Sequence, residues 1–280
     1  MKLKDALKGK VPKELEKFIP SSYEIIGSRE KAVVIIEIPK ELVKYKKLIG
    51  ETLLALHKNV TSVLMKKSER KGKYRIRNLE VIAGSKNTEV MHKEHGYRLL
   101  LDPKVTYFSP REATERQRIA EQVKPGETVM VMFSGVAPYA IAIAKKQPKV
   151  KKIFCIEINP RAHEYASKNI KLNKVEDKIE LLLGDVKEYS EKFKDTFDRI
   201  IMPLPLEAEN FLDIALKWLK KKGIIHLYFV EKEESIKKRI RDIIKKIEGG
   251  GSKVKGYQLK RVLPYAPRID KYCIDMVVEK

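Results

Sequence analysis

The chain has 280 residues, enough for one large domain or a catalytic domain with a smaller one in front, and its 43% hydrophobic content supports a real core. Sixty basic against 38 acidic residues give a net charge of +22, which points to a polyanionic partner, since phosphates neutralised by Lys and Arg release counterions. An ion-pair-rich, heat-adapted surface would account for 35% charged residues but not for that imbalance.

The first 20 residues read as short amphipathic helical turns broken at Pro12 and Pro20, with no apolar core of the kind a signal peptide carries. After Tyr23–Ile26 and a turn at Gly27, the β-branched run Ala32–Ile38 is bounded by turn signals and is expected to be a strand. Glu41–His57 places Leu42, Tyr45, Leu48, Ile49, Leu53 and Leu56 at helical spacing. Val60–Met65, Tyr74–Ile76 and Leu79–Ile82 look like sheet, and Glu89–Leu101 like a hairpin turning near His95–Gly96. Residues 1–105 are therefore expected to form a small α+β domain.

From residue 106 onward the pattern alternates. Glu115–Gln122 is helical and Pro125–Gly126 a turn. Strands at Thr128–Phe133, Lys152–Ile158, Ile179–Leu183, Arg199–Met202 and Ile224–Phe229 are each followed by helical sequence. Lys253–Lys255, beside Gly249–Gly251, reads as a loop, and Gln258–Leu263 and Tyr272–Val278 as a final extended pair. Repeated βα units imply a doubly wound, mostly parallel sheet. Five of them closed by an antiparallel terminal strand are the class I methyltransferase variant of the Rossmann-like α/β fold.

Three chemical signals fall at the ends of successive strands. Phe133, Ser134 and Gly135 open a small-residue turn that lets a ligand approach a helix N-terminus. Glu157 and Ile158 end the second strand, where an acid accepts from ribose hydroxyls. Asp185 and Val186 follow the third, where the carboxylate and the Val186 N–H suit the edge of adenine. Each acid alone also fits a helix N-cap. The loop lacks G-x-G-x-x-G, so S-adenosylmethionine (AdoMet) is expected rather than NAD. Cys155 and Cys273 match no metal-ligand spacing and are expected to be buried thiols of a reducing compartment, with no bound metal. No apolar run spans a membrane, and a cytoplasmic location is expected.

From about Lys71 onward the chain resembles the archaeal tRNA (guanine-37 N1)-methyltransferases. The resemblance rests on His92–Leu99 (HKEHGYRL), Tyr107–Arg111 (YFSPR), Glu115-Arg116, Ile158-Asn159-Pro160, Asn169–Lys174 (NIKLNK), Gly184-Asp185-Val186 and Tyr265–Arg268 (YAPR). The related wybutosine-pathway aminocarboxypropyl transferases share Phe-Ser-Pro but typically lack the following Arg and carry Asp-Asn-Arg in place of Gly184-Asp185-Val186, so Arg111 and that tripeptide favour methyl transfer. The leading domain resembles the family's middle domain, and the separate N-terminal tRNA-elbow domain of some members is expected to be missing.

The resemblance implies that Glu115 is the general base for the guanine N1 proton, that Arg75 stabilises charge on O6, that Tyr107 and Arg111 position the base and backbone, and that Arg116 contacts AdoMet. Guanine N1–H is a weak acid, so a base and an electrophilic partner at O6 make chemical sense. The bland readings are a first-turn carboxylate for Glu115, a phosphate contact for Arg75 within Lys66–Arg77, where seven basic residues accompany one acid, and a core role for Tyr107. The family pattern is broken at Val131, where an Asp is usual, at Ala137, where a Gly is usual, and at Pro203, where an Asn is usual. Only the Pro203 carbonyl is left to meet base or cofactor. Three readings stand: guanine-37 methylation by a monomer acting on tRNA without a protein partner, another AdoMet-dependent RNA modification such as aminocarboxypropyl transfer, and a non-catalytic RNA-binding relative.

Overall fold

The computed structural model describes residues 2–68 and 72–280. Its contacts divide the chain into two compact units, Met1–Pro110 and Arg111–Lys280.

The first unit opens with helix α1 (Leu3–Leu7) and a 3-10 turn at Lys13–Phe18. Strands β1 (Glu24–Gly27), β2 (Ala32–Ile36), β3 (Val60–Lys66) and β4 (Leu79–Gly84) form one sheet in that order. β2 and β3 pair in parallel, so the chain must cross over between them. A 3-10 turn at Lys40–Tyr45 and helix α2 (Lys46–Leu56) make the crossing. The α2 apolar face and the β-branched β2 bury Ile49, Leu53, Val34 and Ile36 in one core with Leu3, Leu7 and Leu42. The hairpin β5 (Val90–Glu94) and β6 (Tyr97–Leu101) turns through His95 and Gly96, both at positive φ.

The expected strand at Tyr74–Ile76 is a turn. Arg75 sits at φ 54 and donates its N–H to the Gly72 carbonyl at 3.1 Å, and Ile76 makes only an isolated bridge. Glu69, Arg70 and Lys71, in the middle of the basic run, lie outside the described residues.

The second unit starts with α3 (Ala113–Gln122) and then alternates: β7 (Thr128–Val131), α4 (Pro138–Lys146), β8 (Lys152–Glu157), α5 (Pro160–Leu172), β9 (Ile179–Leu183) and β10 (Phe197–Met202). It continues through α6 (Leu212–Trp218), β11 (Leu219–Glu231), α7 (Ile236–Gly249), β12 (Lys253–Ala266) and β13 (Ile269–Glu279). The sheet order is β12-β13-β11-β10-β7-β8-β9. Only β12 and β13 run antiparallel to their neighbours. The chain winds outward in both directions from β7 and β10, which makes their carboxyl ends the topological switch point where such sheets bind ligands.

Lys253–Lys255 is not a loop but the start of β12, paired with Val278 and Glu279 of β13. The α-helix expected after Asp185 is a 3-10 turn, Val186–Tyr189. β13 pairs with β11 from Lys222 onward, Leu219 at the start of β11 pairs with Phe197 of β10, and α6 ends at Trp218, short of the expected Lys220. Trp218, Phe197, Leu227 and Ile274 are fully buried in the core of this unit. Among the described residues no helix is long and apolar enough to cross a membrane.

Candidate functional site

The turn after β7 is held in an unusual backbone shape. Phe133, Gly135 and Ala137 all have left-handed φ, at 57°, 57° and 65°. Such strain in non-glycine residues persists only where surrounding bonds over-determine it. Here Ser134 N–H donates to the Ile156 carbonyl at 2.9 Å and Ala137 N–H to the Ser134 carbonyl at 3.0 Å. Asn169, fully buried on α5, donates Nδ2 to the Val136 carbonyl at 3.1 Å. Asn173 donates to the Asn169 carbonyl at 2.7 Å. The Asn-rich motif on α5 therefore clamps the loop rather than meeting a substrate.

Glu157 ends β8 with both carboxylate oxygens turned to backbone donors, Gly135 N–H on Oε2 at 2.6 Å and Asn159 N–H on Oε1 at 2.8 Å. Burial raises its carboxyl above the usual range, against the pull of these bonds. It is not a helix cap, because Asn159 caps α5 through a bond from Arg161 N–H at 3.0 Å. Asp185 is a cap: it accepts from Lys187 N–H at 3.0 Å and forms a capping box with Glu188. Gly184 sits at φ 148°, a backbone shape that L side chains rarely adopt, so this turn favours glycine. Val186 is buried in the core and Ile158 half-buried. The arrangement offers carboxylate acceptors at the ends of two adjacent strands beside a left-handed loop, groups able to accept from ribose hydroxyls and an adenine amino group.

Val131 is fully buried, and Met132 N–H donates to the Ile201 carbonyl at 3.0 Å across the switch point. Beyond β10, Leu204 N–H takes the Met202 carbonyl at 2.9 Å. No donor among the described residues meets the carbonyl of Pro203.

Glu115 lies on the first turn of α3 and is 5% exposed, so a solvated first-turn carboxylate does not describe it. Arg118, one turn on, donates Nε to Oε2 and Nη2 to Oε1, each at 2.7 Å, and Tyr228 of β11 donates its hydroxyl to Oε1 at 2.7 Å. The same guanidinium reaches Asp275 of β13 at 2.5 Å. Asp275 meets His226 Nδ1 at 2.6 Å, and His226 Nε2 lies 2.7 Å from Arg199 Nη1. Arg can only donate, so His226 must be neutral with its proton on Nδ1. Burial lowers the His226 pKa in the same direction. His226, Cys273 and Asp275 place ligand-type atoms within 4.8 Å of one another. The Arg118 and Arg199 guanidinium groups touch that cluster, and their charge opposes a further cation. Arg116 is buried on the same helix, and Arg111 is exposed. Cys155 and Cys273 are buried and unpaired with each other, and burial pushes both thiols up.

In the first unit Arg75 and Tyr107 line one cleft, with Arg77, Phe108, Thr106 and Glu24. The His92–Leu99 motif is a packing device here: His92 Nε2 meets Glu94 at 3.3 Å, Tyr97 donates to Glu94, and the His92 ring stands edge-on to Phe108 at 5.0 Å. In the basic run, Lys66 lies 3.7 Å from Glu37 and Lys67 3.6 Å from Glu80.

Sequence reasoning missed Arg118, Tyr228, His226 and Asp275. Arg118 could have been found from its i,i+3 spacing to Glu115; the other three carry no local signal.

The TRM5/TYW2 methyltransferase domain family matches residues 90–255, and the TYW2 N-terminal domain family matches residues 3–88. The tRNA (guanine(37)-N(1))-methyltransferase Trm5b of Pyrococcus abyssi is 43% identical over 96% of this chain and 78% of its own length. A solved complex of aTrm5 with tRNALeu superposes with a TM-score of 0.82 at 36% identity, covering 99% of this chain and 78% of that one. The TYW2 of P. horikoshii, solved with MeSAdo, gives a TM-score of 0.82 at 28% identity over 99% of this chain and 98% of that one.

Proposed function

This chain belongs to the TRM5/TYW2 methyltransferase family, and on that premise we propose that it transfers a methyl group from AdoMet to N1 of guanine 37 in tRNA. The observation that carries this reading is the 43% identity to a Trm5b over 96% of the chain. AdoMet supplies the electrophilic methyl group. Glu157 accepts from its ribose, Asp185 and the Val186 N–H take the adenine edge, and Ile158 lies alongside. The Phe133-Ser134-Gly135 turn cradles the remainder, with Arg116 contacting it.

On the substrate side, Glu115 takes the N1 proton and Arg75 balances charge on O6. Tyr107 and Arg111 hold the base and backbone. The Pro203 carbonyl, open to a donor, takes the place of the usual Asn. The +22 charge suits a tRNA partner, and the protein acts as a cytoplasmic monomer through a leading RNA-positioning domain, Met1–Pro110, and an AdoMet-binding domain, Arg111–Lys280.

A second reading, aminocarboxypropyl transfer, is favoured by the TYW2-type N-terminal match and the 98% coverage of the P. horikoshii TYW2. Its 28% identity against 43% for the Trm5b ranks it second. Incubation with labelled AdoMet and unmodified tRNA transcripts, followed by nucleoside mass spectrometry, separates them. A product heavier by one methyl supports the first reading, and a product heavier by an aminocarboxypropyl group overturns it.

A further inference from the structure

The buried side chains behind Glu115 form one continuous chain of charges. Glu127 holds Arg199 at 2.8 Å and Arg199 meets neutral His226 at 2.7 Å. His226 donates to Asp275 at 2.6 Å, and Arg118 spans Asp275 at 2.5 Å and Glu115 at 2.7 Å. Two guanidinium cations thus serve three carboxylates. Arg118 bridges two carboxylates, and Asp275 and Glu115 compete for its fork, whereas Arg199 serves one carboxylate, Glu127, beside neutral His226. Asp275 is held far below the usual carboxylate range; burial opposes its charge, but His226 and Arg118 outweigh that.

We propose that Asp275 is a positioning residue for Glu115, drawing on Arg118 so that the Glu115–Arg118–Asp275 group is one proton short of charge balance and Glu115 can take the proton of guanine N1. This rests on the reading of Glu115 as the general base. The N1–H bond breaks as its proton moves to a Glu115 oxygen. The N1 electron pair takes the methyl carbon as the carbon–sulfur bond breaks onto sulfur. Arg118 then pairs fully with Asp275, and no unpaired charge is left buried. Without Asp275, Arg118 would belong wholly to Glu115 and hold it ionised, which makes a weaker base.

The other groups around Glu115 are fixed differently. Tyr228 donates to it and accepts from Tyr139 at 3.1 Å. Burial holds both phenols, and the Cys273 thiol, well above their ordinary pKa values, so they stay protonated. Glu112 is paired with Lys271 at 2.8 Å, and Lys271 stands 4.9 Å over the Tyr228 ring. Arg116, the remaining cation on α3, keeps its charge throughout.

The test is the pH dependence of the single-turnover methylation rate at saturating enzyme for wild type, Glu115→Gln, Asp275→Asn and Arg118→Lys. AdoMet affinity by calorimetry and the thermal midpoint without AdoMet are measured in parallel. Asp275→Asn should move the acid limb about one pH unit lower and reduce the plateau about tenfold, following base strength. Arg118→Lys replaces a fork by a point charge, so Glu115 loses a donor and the limb should move to higher pH. AdoMet affinity should stay within about twofold in both. Opposite displacements are a signature that simple loss of structure cannot give. If Glu115→Gln keeps nearly full rate, the base reading itself fails. If Glu115→Gln is slow and flat with pH but the limb stays put in Asp275→Asn and Arg118→Lys, the base reading stands and this proposal is overturned. Should one of the two variants melt below assay temperature, an unmoved limb in the other overturns it equally.

Discussion

Arg118 grips Glu115 at both carboxylate oxygens, Nε on Oε2 and Nη2 on Oε1, each at 2.7 Å. A carboxylate fixed in this way has a defined direction, which general-base catalysis requires, since the base must lie within hydrogen-bond reach of its proton. Glu115→Gln should therefore slow single-turnover methyl transfer by about 10²–10⁴-fold. AdoMet affinity should barely change. Because Arg118 keeps Asp275, the loss of stability should be only about 1–3 kcal/mol. Stopped-time product assays, calorimetry and thermal melts check the three parts; a rate within about threefold of wild type refutes the assigned role.

AdoMet binding should weaken as pH falls, starting above the ordinary carboxylate range. The cause is Glu157, whose carboxyl burial raises. Ribose hydroxyls donate to the ionised form, so protonation removes an acceptor. The sign for folding is opposite: a raised carboxyl in the folded state binds protons that the unfolded chain has already lost, so its contribution to stability declines as pH rises from about 4.5 through the folded value. Glu157→Gln should flatten the pH dependence of AdoMet affinity measured by calorimetry. A wild-type affinity independent of pH between neutrality and acid would count against Glu157 as the ribose ligand.

Ala137 occupies φ 65, ψ 33 as the residue before α4, where glycine carries no steric penalty. The left-handed strain of about 1–2 kcal/mol exceeds the extra chain entropy of glycine, about 0.5–1 kcal/mol. Ala137→Gly should thus stabilise by about 0.5 kcal/mol. Ala137→Val should destabilise by more than 1 kcal/mol, because the site is fully buried and a β-branched side chain is least tolerated at positive φ. Chemical denaturation of both variants decides it; a stability order with valine above glycine would show that the backbone shape is not the controlling factor.

Affinity for tRNA should fall steeply with salt, with a slope of log K against log salt of roughly −0.7 to −0.9 per phosphate contact. Replacing Lys66, Lys67 and Lys71 together by Gln should make that slope shallower, and it should do so by less than three full contacts. The reason is that Lys66 and Lys67 already lie near Glu37 and Glu80. Fluorescence anisotropy across a salt series reads the slope. An unchanged slope would leave the run as a solvated face.

Much of this protein was written in short-range pattern. The hairpin at Val90–Leu101 and the strand Ile179–Leu183 match their expected bounds closely, because turn residues and β-branched runs act over a few positions. The placement of Glu157 at the end of β8 and of Asp185 just after β9 was legible for the same reason: a strand end and the helix or turn after it are neighbours in sequence. Tyr74–Ile76 misled, since its β-like composition carries no sign that Arg75 turns through positive φ. Lys253–Lys255 misled in the opposite sense, because pairing with β13 overrides a loop-like composition. Beyond Arg118, the environment of Glu115 was not legible in the sequence. Asp275 lies 157 residues from Arg118, and His226 lies 49 from Asp275. They meet because β11 and β13 pair antiparallel, which aligns His226 with Asp275 in register, and because a charge withdrawn from water must find whichever partner the sheet brings within reach.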